Sequence, residues 1–173
     1  MRKQSKYAVR SRLLPIVLLL SMIGCAPVIS KQVREQVDPA ITPEEVLSNP
    51  EQYSGEMIIL SGEIIETKID KEDTLIVVLQ RPAGFRGRPK DAGTSAGRFL
   101  ALVDHYLDPF IYRQGREITI GGRIEGTRAL PLGETQYVYP VIHVEDLYLW
   151  PIERDYYRPY PSFHIGLGFG YFF

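Results

Sequence analysis

The chain has 173 residues, enough for about one domain with a buried core. Its 20 basic and 21 acidic residues leave a net charge of −1, without the basic surplus that a nucleic-acid-binding surface needs. A single cysteine excludes an intrachain disulfide and a thiolate metal site, so the fold must hold by packing.

Arg2, Lys3, Lys6, Arg10 and Arg12 precede an apolar run over residues 13–23 that ends in small residues. Basic, then apolar, then small is the order of a secretory signal. The run is shorter than the roughly 20 residues that cross a hydrocarbon core, and Pro15 interrupts it, so no transmembrane helix is expected. It closes on Met22-Ile23-Gly24-Cys25, which resembles the bacterial lipobox in its Gly24-Cys25 pair, although leucine and a small residue are usual where Met22 and Ile23 stand. The resemblance implies cleavage after residue 24, a diacylglyceryl thioether on Cys25, and a further acyl chain, such as palmitate, on the new N-terminus. Several chains give lasting attachment, because each buried methylene contributes about 0.8 kcal/mol and one chain alone is marginal. In the sorting rule that accompanies lipoboxes, Ala26 in place of Asp implies the outer membrane. Loss of residues 1–24 removes five of the 20 basic residues and no acids, leaving 15 against 21 and a net charge of −6.

Residues 25–40 are mixed and polar, with Pro27 and Pro39, and read as the lipidated N-terminus and a linker. A domain over residues 41–150 follows. Thr42-Pro43-Glu44-Glu45 predicts a short helix: Thr42 as N-cap, Pro43 at the first helical position, Glu45 closing a capping box, and Asn49-Pro50 as the stop. Residues 55–64 and 115–124 then share one spacing: glycine, apolar residues three and five later, glycine seven later, isoleucine nine later. In the second copy Ile118, Ile120 and Ile124 alternate with Glu117, Thr119 and Arg123, the pattern of a half-buried strand. Gly62 and Gly122 inside such strands predict bends of the kind that barrel corners need.

Residues 73–81 and 98–103 have strand composition, and the loop between them is rich in glycine and basic residues. From Asp104 a short crossover helix or turn is expected through Leu107 to Tyr112. Residues 136–145 make a fifth strand, continued by Leu147-Tyr148-Leu149-Trp150, with Pro140 placing its first half at an edge or bulge. The expected class is mainly β: a five-stranded OB-like barrel with a short N-terminal helix and a short crossover helix, preceded by a lipoprotein signal peptide. In the tail, residues 151–173, Phe163, Ile165, Leu167, Phe169, Tyr171 and Phe173 alternate with mostly glycine. That is the period of one strand, suited to docking on a sheet edge or a membrane interface, and the composition equally fits an aromatic, glycine-rich disordered tail.

In this order and spacing the chain resembles the Slp family of Gram-negative outer-membrane lipoproteins. The resemblance rests on the lipobox with Cys25, Pro50-Glu51-Gln52-Tyr53-Ser54-Gly55, Gly62, Gly97-Arg98-Phe99-Leu100, Leu107-Asp108-Pro109, Gly121-Gly122-Arg123-Ile124 with Gly126, and Tyr139-Pro140-Val141 leading to Leu149-Trp150. It covers roughly residues 15–151 and implies location and fold, with an association with stationary-phase or stress survival. It carries over no catalytic residue and no cofactor.

His105, His143 and His164 lack metal-ligand spacing, and no serine stands in a nucleophile elbow. No catalytic or metal site is therefore assigned. The candidate sites are Cys25 for lipidation and the basic loop of Arg81, Arg86, Arg88, Lys90 and Arg98, for which contact with envelope anions stands against a solvated glycine-rich hairpin that also holds Asp91. The expected partners are outer-membrane lipid through acylated Cys25, together with an envelope protein, a second copy or a polysaccharide, and not nucleic acid. The first reading is an outer-membrane-anchored lipoprotein facing the periplasm, with a non-catalytic binding or scaffolding role. The alternative is an oligosaccharide-binding module for peptidoglycan or lipopolysaccharide sugars, which would use the face of the second and third strands and in particular Phe99.

Overall fold

The computed structural model describes residues 26–91 and 93–152. Cys25, the signal sequence and the alternating aromatic tail lie outside the described residues. The elements are helix α1 (Lys31–Arg34), helix α2 (Pro43–Ser48), a 3-10 turn (Pro50–Tyr53), and strands β1 (Met57–Asp70), β2 (Asp73–Gln80), β3 (Arg98–Val103), β4 (Glu117–Leu132) and β5 (Thr135–Leu149). The strands close in the order β1-β2-β3-β5-β4, and every pairing is antiparallel except β3 with β5, where Leu100 faces Val141 and Leu102 faces His143. Five mainly antiparallel strands closed in that order form an OB-like barrel.

The glycine-spaced repeat explains how the barrel closes. Its two copies pair with each other about a local twofold: Leu60 faces its own counterpart Ile120, while Gly62 faces Ile118 as Gly122 faces Ile58. The flanking hydrogen bonds follow the same symmetry, Gly55 N–H donating to the Ile124 carbonyl at 2.8 Å and Gly115 N–H to the Ile64 carbonyl at 2.9 Å. Gly62 and Gly122 are required for space. A Cβ on Gly62 would run into the Leu79 carbonyl oxygen and lie 2.6 Å from Val78 Cγ1; one on Gly122 would run into the His143 carbonyl. Each glycine thus lets its strand pass close over the neighbour it adopts next, β2 for β1 and β5 for β4. The register slips beside Gly122 on β4, whereas on β1 it slips beyond Gly62, between Ile64 and Glu66.

Ile58, Leu60, Ile64, Ile76, Val78, Phe99, Ile118, Ile120, Ile124 and Ile142 fill the barrel. Helix α2 covers one end of it through Val46. Its capping box forms as expected: Thr42 Oγ1 accepts the Glu45 N–H at 3.3 Å, and Glu45 Oε2 accepts the Thr42 N–H at 3.0 Å. The Thr42 backbone N–H, and then its hydroxyl, hold the Glu45 carboxyl below its ordinary value.

Three expectations are corrected. Residues 26–40 are not a free linker. Ile29 and Val33 are buried with Met57, Val37 bridges to Met57, and the Ser30 N–H donates to Asp146 Oδ2 at 2.7 Å. Ile29, Val33 and Val37 thereby turn one packed face to Met57 and Ile59. Gly121 makes room for that face, because a Cβ there would come within 2.5 Å of Val33 Cγ1.

The crossover helix is not formed. Its place is taken by one turn, with the Ile111 and Tyr112 N–H groups donating to the Asp108 carbonyl at 3.0 Å each. Phe110 and Ile111 are exposed, leaving too narrow an apolar face to hold a longer helix.

Strands β1 and β4 also run further than their apolar patterns suggest. They reach tight turns where Lys71 and Gly133 take φ of 60° and 62°. Residues 135–140 of β5 pair with β4 alone, which leaves Pro140 at an edge as expected.

Candidate functional site

The basic loop is a small hairpin held firmly against the barrel. Residues Ala83 and Pro89 bridge, and the Lys90 N–H donates to the Pro82 carbonyl at 2.9 Å. At its tip a 3-10 turn (Phe85–Gly87) ends on Gly87, whose φ is +90°. The Gly87 carbonyl accepts from Ser61 Oγ at 2.6 Å and from Thr119 Oγ1 at 2.8 Å. Trp150 Nε1–H donates to Thr119 Oγ1 at 2.9 Å, and the Arg88 guanidinium lies 5.5 Å over the Trp150 ring. Ser61 and Thr119 are cross-strand partners and both are buried, so their hydroxyls need this loop carbonyl. The lone hydroxyl pair in the apolar strands is the signal that would have located this anchorage from sequence.

The five cations do not converge. Arg81 Nη2 lies 3.6 Å from Glu63 Oε2, and Arg88 Nε lies 2.7 Å from Glu117 Oε2. Arg81 and Lys90 line a cavity of about 250 Å³ with Glu63, Asp91 and Glu117, two cations against three carboxylates. Such a lining does not favour an anion. Glu63 and Glu117 face each other across β1 and β4, but each is taken up by its own arginine, whereas a glycosidase needs one carboxyl free to protonate a leaving group. Arg98 sits apart at the start of β3, its backbone N–H donating to Tyr137 Oη at 3.4 Å.

Arg86 points elsewhere. Its Nε donates to the Ala26 carbonyl at 2.7 Å, and its own carbonyl accepts the Val28 N–H at 3.5 Å. The first described residue after Cys25 is therefore bonded to the loop tip. Arg86 adopts φ of 58°, a left-handed conformation that costs a non-glycine residue about 1 kcal/mol. Beside it Phe85 is 73 % exposed.

The face on which OB barrels take up oligomers is closed by the chain itself. The outward residues Leu75, Val77 and Leu100 form a second core with Tyr139 and Val141, against which Leu130 and Tyr137 of the β4–β5 hairpin pack. Tyr137 and Tyr139 stack with centroids 4.5 Å apart. Phe99, the aromatic expected on that face, points the other way and is fully buried in the barrel.

The histidines fall apart as well. His143 Nε2 is 2.7 Å from Asp104 Oδ2, His105 offers its carbonyl to the Thr74 hydroxyl, and His164 lies outside the described residues. Among the described residues no group of three or more His, Cys, Asp or Glu side chains is placed to hold a metal ion.

A family model described as the outer membrane lipoprotein Slp family matches residues 22–172. An uncharacterized protein of Haemophilus influenzae is 29 % identical over 101 residues, 58 % of this chain, and the match spans only 55 % of that relative's length. The uncharacterized lipoprotein YeaY of Escherichia coli K12 is 26 % identical over 156 residues, 88 % of this chain and 80 % of its own. Among solved structures, a small single-stranded DNA-binding protein from Streptomyces coelicolor superposes with a TM-score of 0.37 at 13 % identity, over 56 % of this chain and 93 % of that one. The mitochondrial single-stranded DNA-binding protein Rim1 from S. cerevisiae gives 0.35 at 13 % identity, over 56 % and 95 %.

Proposed function

The chain belongs to the outer membrane lipoprotein Slp family, and from that premise we propose a non-catalytic, lipid-anchored envelope protein whose OB-like domain faces the periplasm and binds or scaffolds other envelope components. Cys25 carries the acyl anchor after removal of residues 1–24. The stress or stationary-phase association that the resemblance implies is the setting in which such a scaffold would be deployed.

The observation that carries the scaffolding role is the β4–β5 hairpin lying over β2 and β3. With Tyr137, Tyr139 and Leu130 packed there, a sugar or nucleic-acid strand would have to displace the domain's own second core. That favours a protein partner or a second copy over an oligosaccharide. Tyr106, Phe110 and Ile111, exposed together on the β3–β4 crossover, are the apolar surface such a partner would cover.

Photo-crosslinking in living cells tests this reading. A benzophenone side chain in place of Phe110 is expected to trap an envelope protein or a second copy, and the adduct is expected to resist protease until the outer membrane is permeabilised. No adduct from positions 106, 110 or 111 would remove the scaffold surface. Digestion in intact cells would overturn the periplasmic orientation.

A further inference from the structure

We propose that the tip of the β2–β3 loop is a membrane-contact surface, with Phe85 entering the interfacial layer of the leaflet that holds the Cys25 acyl chains and Arg86 lying against lipid phosphates. The proposal rests on the lipid anchor at Cys25. Three independent features of the loop converge on it.

The first is position. Ala26 is the neighbour of Cys25, about 3.8 Å away between Cα atoms, and its carbonyl is held by Arg86 Nε at 2.7 Å. With residues 28–37 packed on β1 and β4, the chain has no slack with which to lift the domain away from its anchor. The loop tip is thus carried to the level of the lipid glycerol.

The second is chemistry. Phe85 is an aromatic side chain 73 % exposed on a rigid support, the kind of residue that sits at a membrane–water interface. Arg86 is exposed beside Phe85, while Arg81 and Arg88 turn to Glu63 and Glu117 and Lys90 lies with Asp91 in the acidic cavity. Arg86 spends its Nε on Ala26 and has no ion-pair partner among the described residues, which leaves its terminal amino groups for phosphate oxygens. The mature chain is net acidic, so a local basic tip beside the anchor orients the domain toward an anionic surface.

The third is rigidity. Two buried hydroxyls fix the Gly87 carbonyl, and Arg86 is kept in a left-handed conformation that glycine would adopt more readily. A loop serving only as a connection has no need of that conformation at an arginine.

Depth-dependent quenching tests the contact. The full-length acylated protein is reconstituted into vesicles of phosphatidylethanolamine and phosphatidylglycerol with brominated acyl chains, carrying either Phe85→Trp or Tyr106→Trp. Tyr106 lies past the C-terminal end of β3 and the loop joins its N-terminal end, so about 17 Å of strand separates the two positions. The native Trp150 is buried and supplies the same background in both.

Phe85→Trp is expected to emit further to the blue and to lose most of its added emission to bromine, an effect weakened by Arg86→Glu. Tyr106→Trp is expected to keep its emission. Equal quenching at the two positions in protein that floats with the vesicles would overturn the contact and leave the anchor standing. Protein that does not float would overturn both.

Discussion

Phe99→Ala is expected to lower the unfolding free energy by about 4 kcal/mol, the usual cost of removing a fully buried phenylalanine and leaving the cavity behind. For a domain of this size that is a fall in melting temperature of roughly 10 °C or more. Phe99 is fully buried, packed in the barrel with Ala101 of its own strand and with Ile76, Val78 and Ile142 on the neighbouring strands. Its residue pattern also suits the opposite role, an exposed ring on β3 on which a sugar stacks. Thermal melting separates the two, because an exposed stacking ring can be truncated with little loss of stability. An unchanged melting curve would return Phe99 to the surface and restore the oligosaccharide reading.

The same comparison shows what the sequence makes legible. Alternation of Ile118, Ile120 and Ile124 with polar residues identifies a strand and its buried side, and the capping box from Thr42 to Glu45 identifies a helix start. Both are local signals, complete within a few residues. Which face of β2 and β3 stays open is a different kind of fact. It depends on the β4–β5 hairpin continuing past Gly126 to Leu132 and returning through Tyr137 and Tyr139, so that residues far along the chain close the surface, as Tyr139 does over Leu75. Runs such as Leu75-Ile76-Val77-Val78 are apolar on both sides for this reason.

The N-terminal segment was obscured in the same way. Its prolines and charges resemble a spacer, and its fixed position depends on the bare surface at Gly121, more than 80 residues further on. The basic loop shows the limit from the other side. Its composition suits an anion site or a solvated hairpin, and Glu63 and Glu117, brought across from β1 and β4, pair with Arg81 and Arg88.

Gly122→Val is expected to destabilise the domain by about 3 kcal/mol, through overpacking against backbone. The new Cβ would run into the His143 carbonyl, lie 2.9 Å from its carbonyl carbon and 3.0 Å from Ile142 Cγ2, so β4 and β5 would have to part where the barrel closes. Side-chain rotation cannot relieve a clash with a carbonyl. Gly62→Val, its partner in the repeat, meets the Leu79 carbonyl in the same way and should cost a similar amount. Gly133→Ala provides the contrast: it sits in open space at a turn, so only its φ of +62° opposes the change and the loss should be about 1 kcal/mol. Urea titration of the three variants checks this ranking. A Gly122→Val protein as stable as Gly133→Ala would mean that the strands do not approach as described.

Anchor, orientation and membrane contact all depend on what becomes of Cys25. Intact-mass analysis of its N-terminal peptide from the outer-membrane fraction tests this most directly. The expected chain begins at residue 25 and carries a diacylglyceryl thioether and an amide-linked acyl chain, whereas a Cys25→Ser variant keeps residues 1–24 and carries no lipid. A wild-type chain with an unmodified thiol and its leader still attached would contradict it.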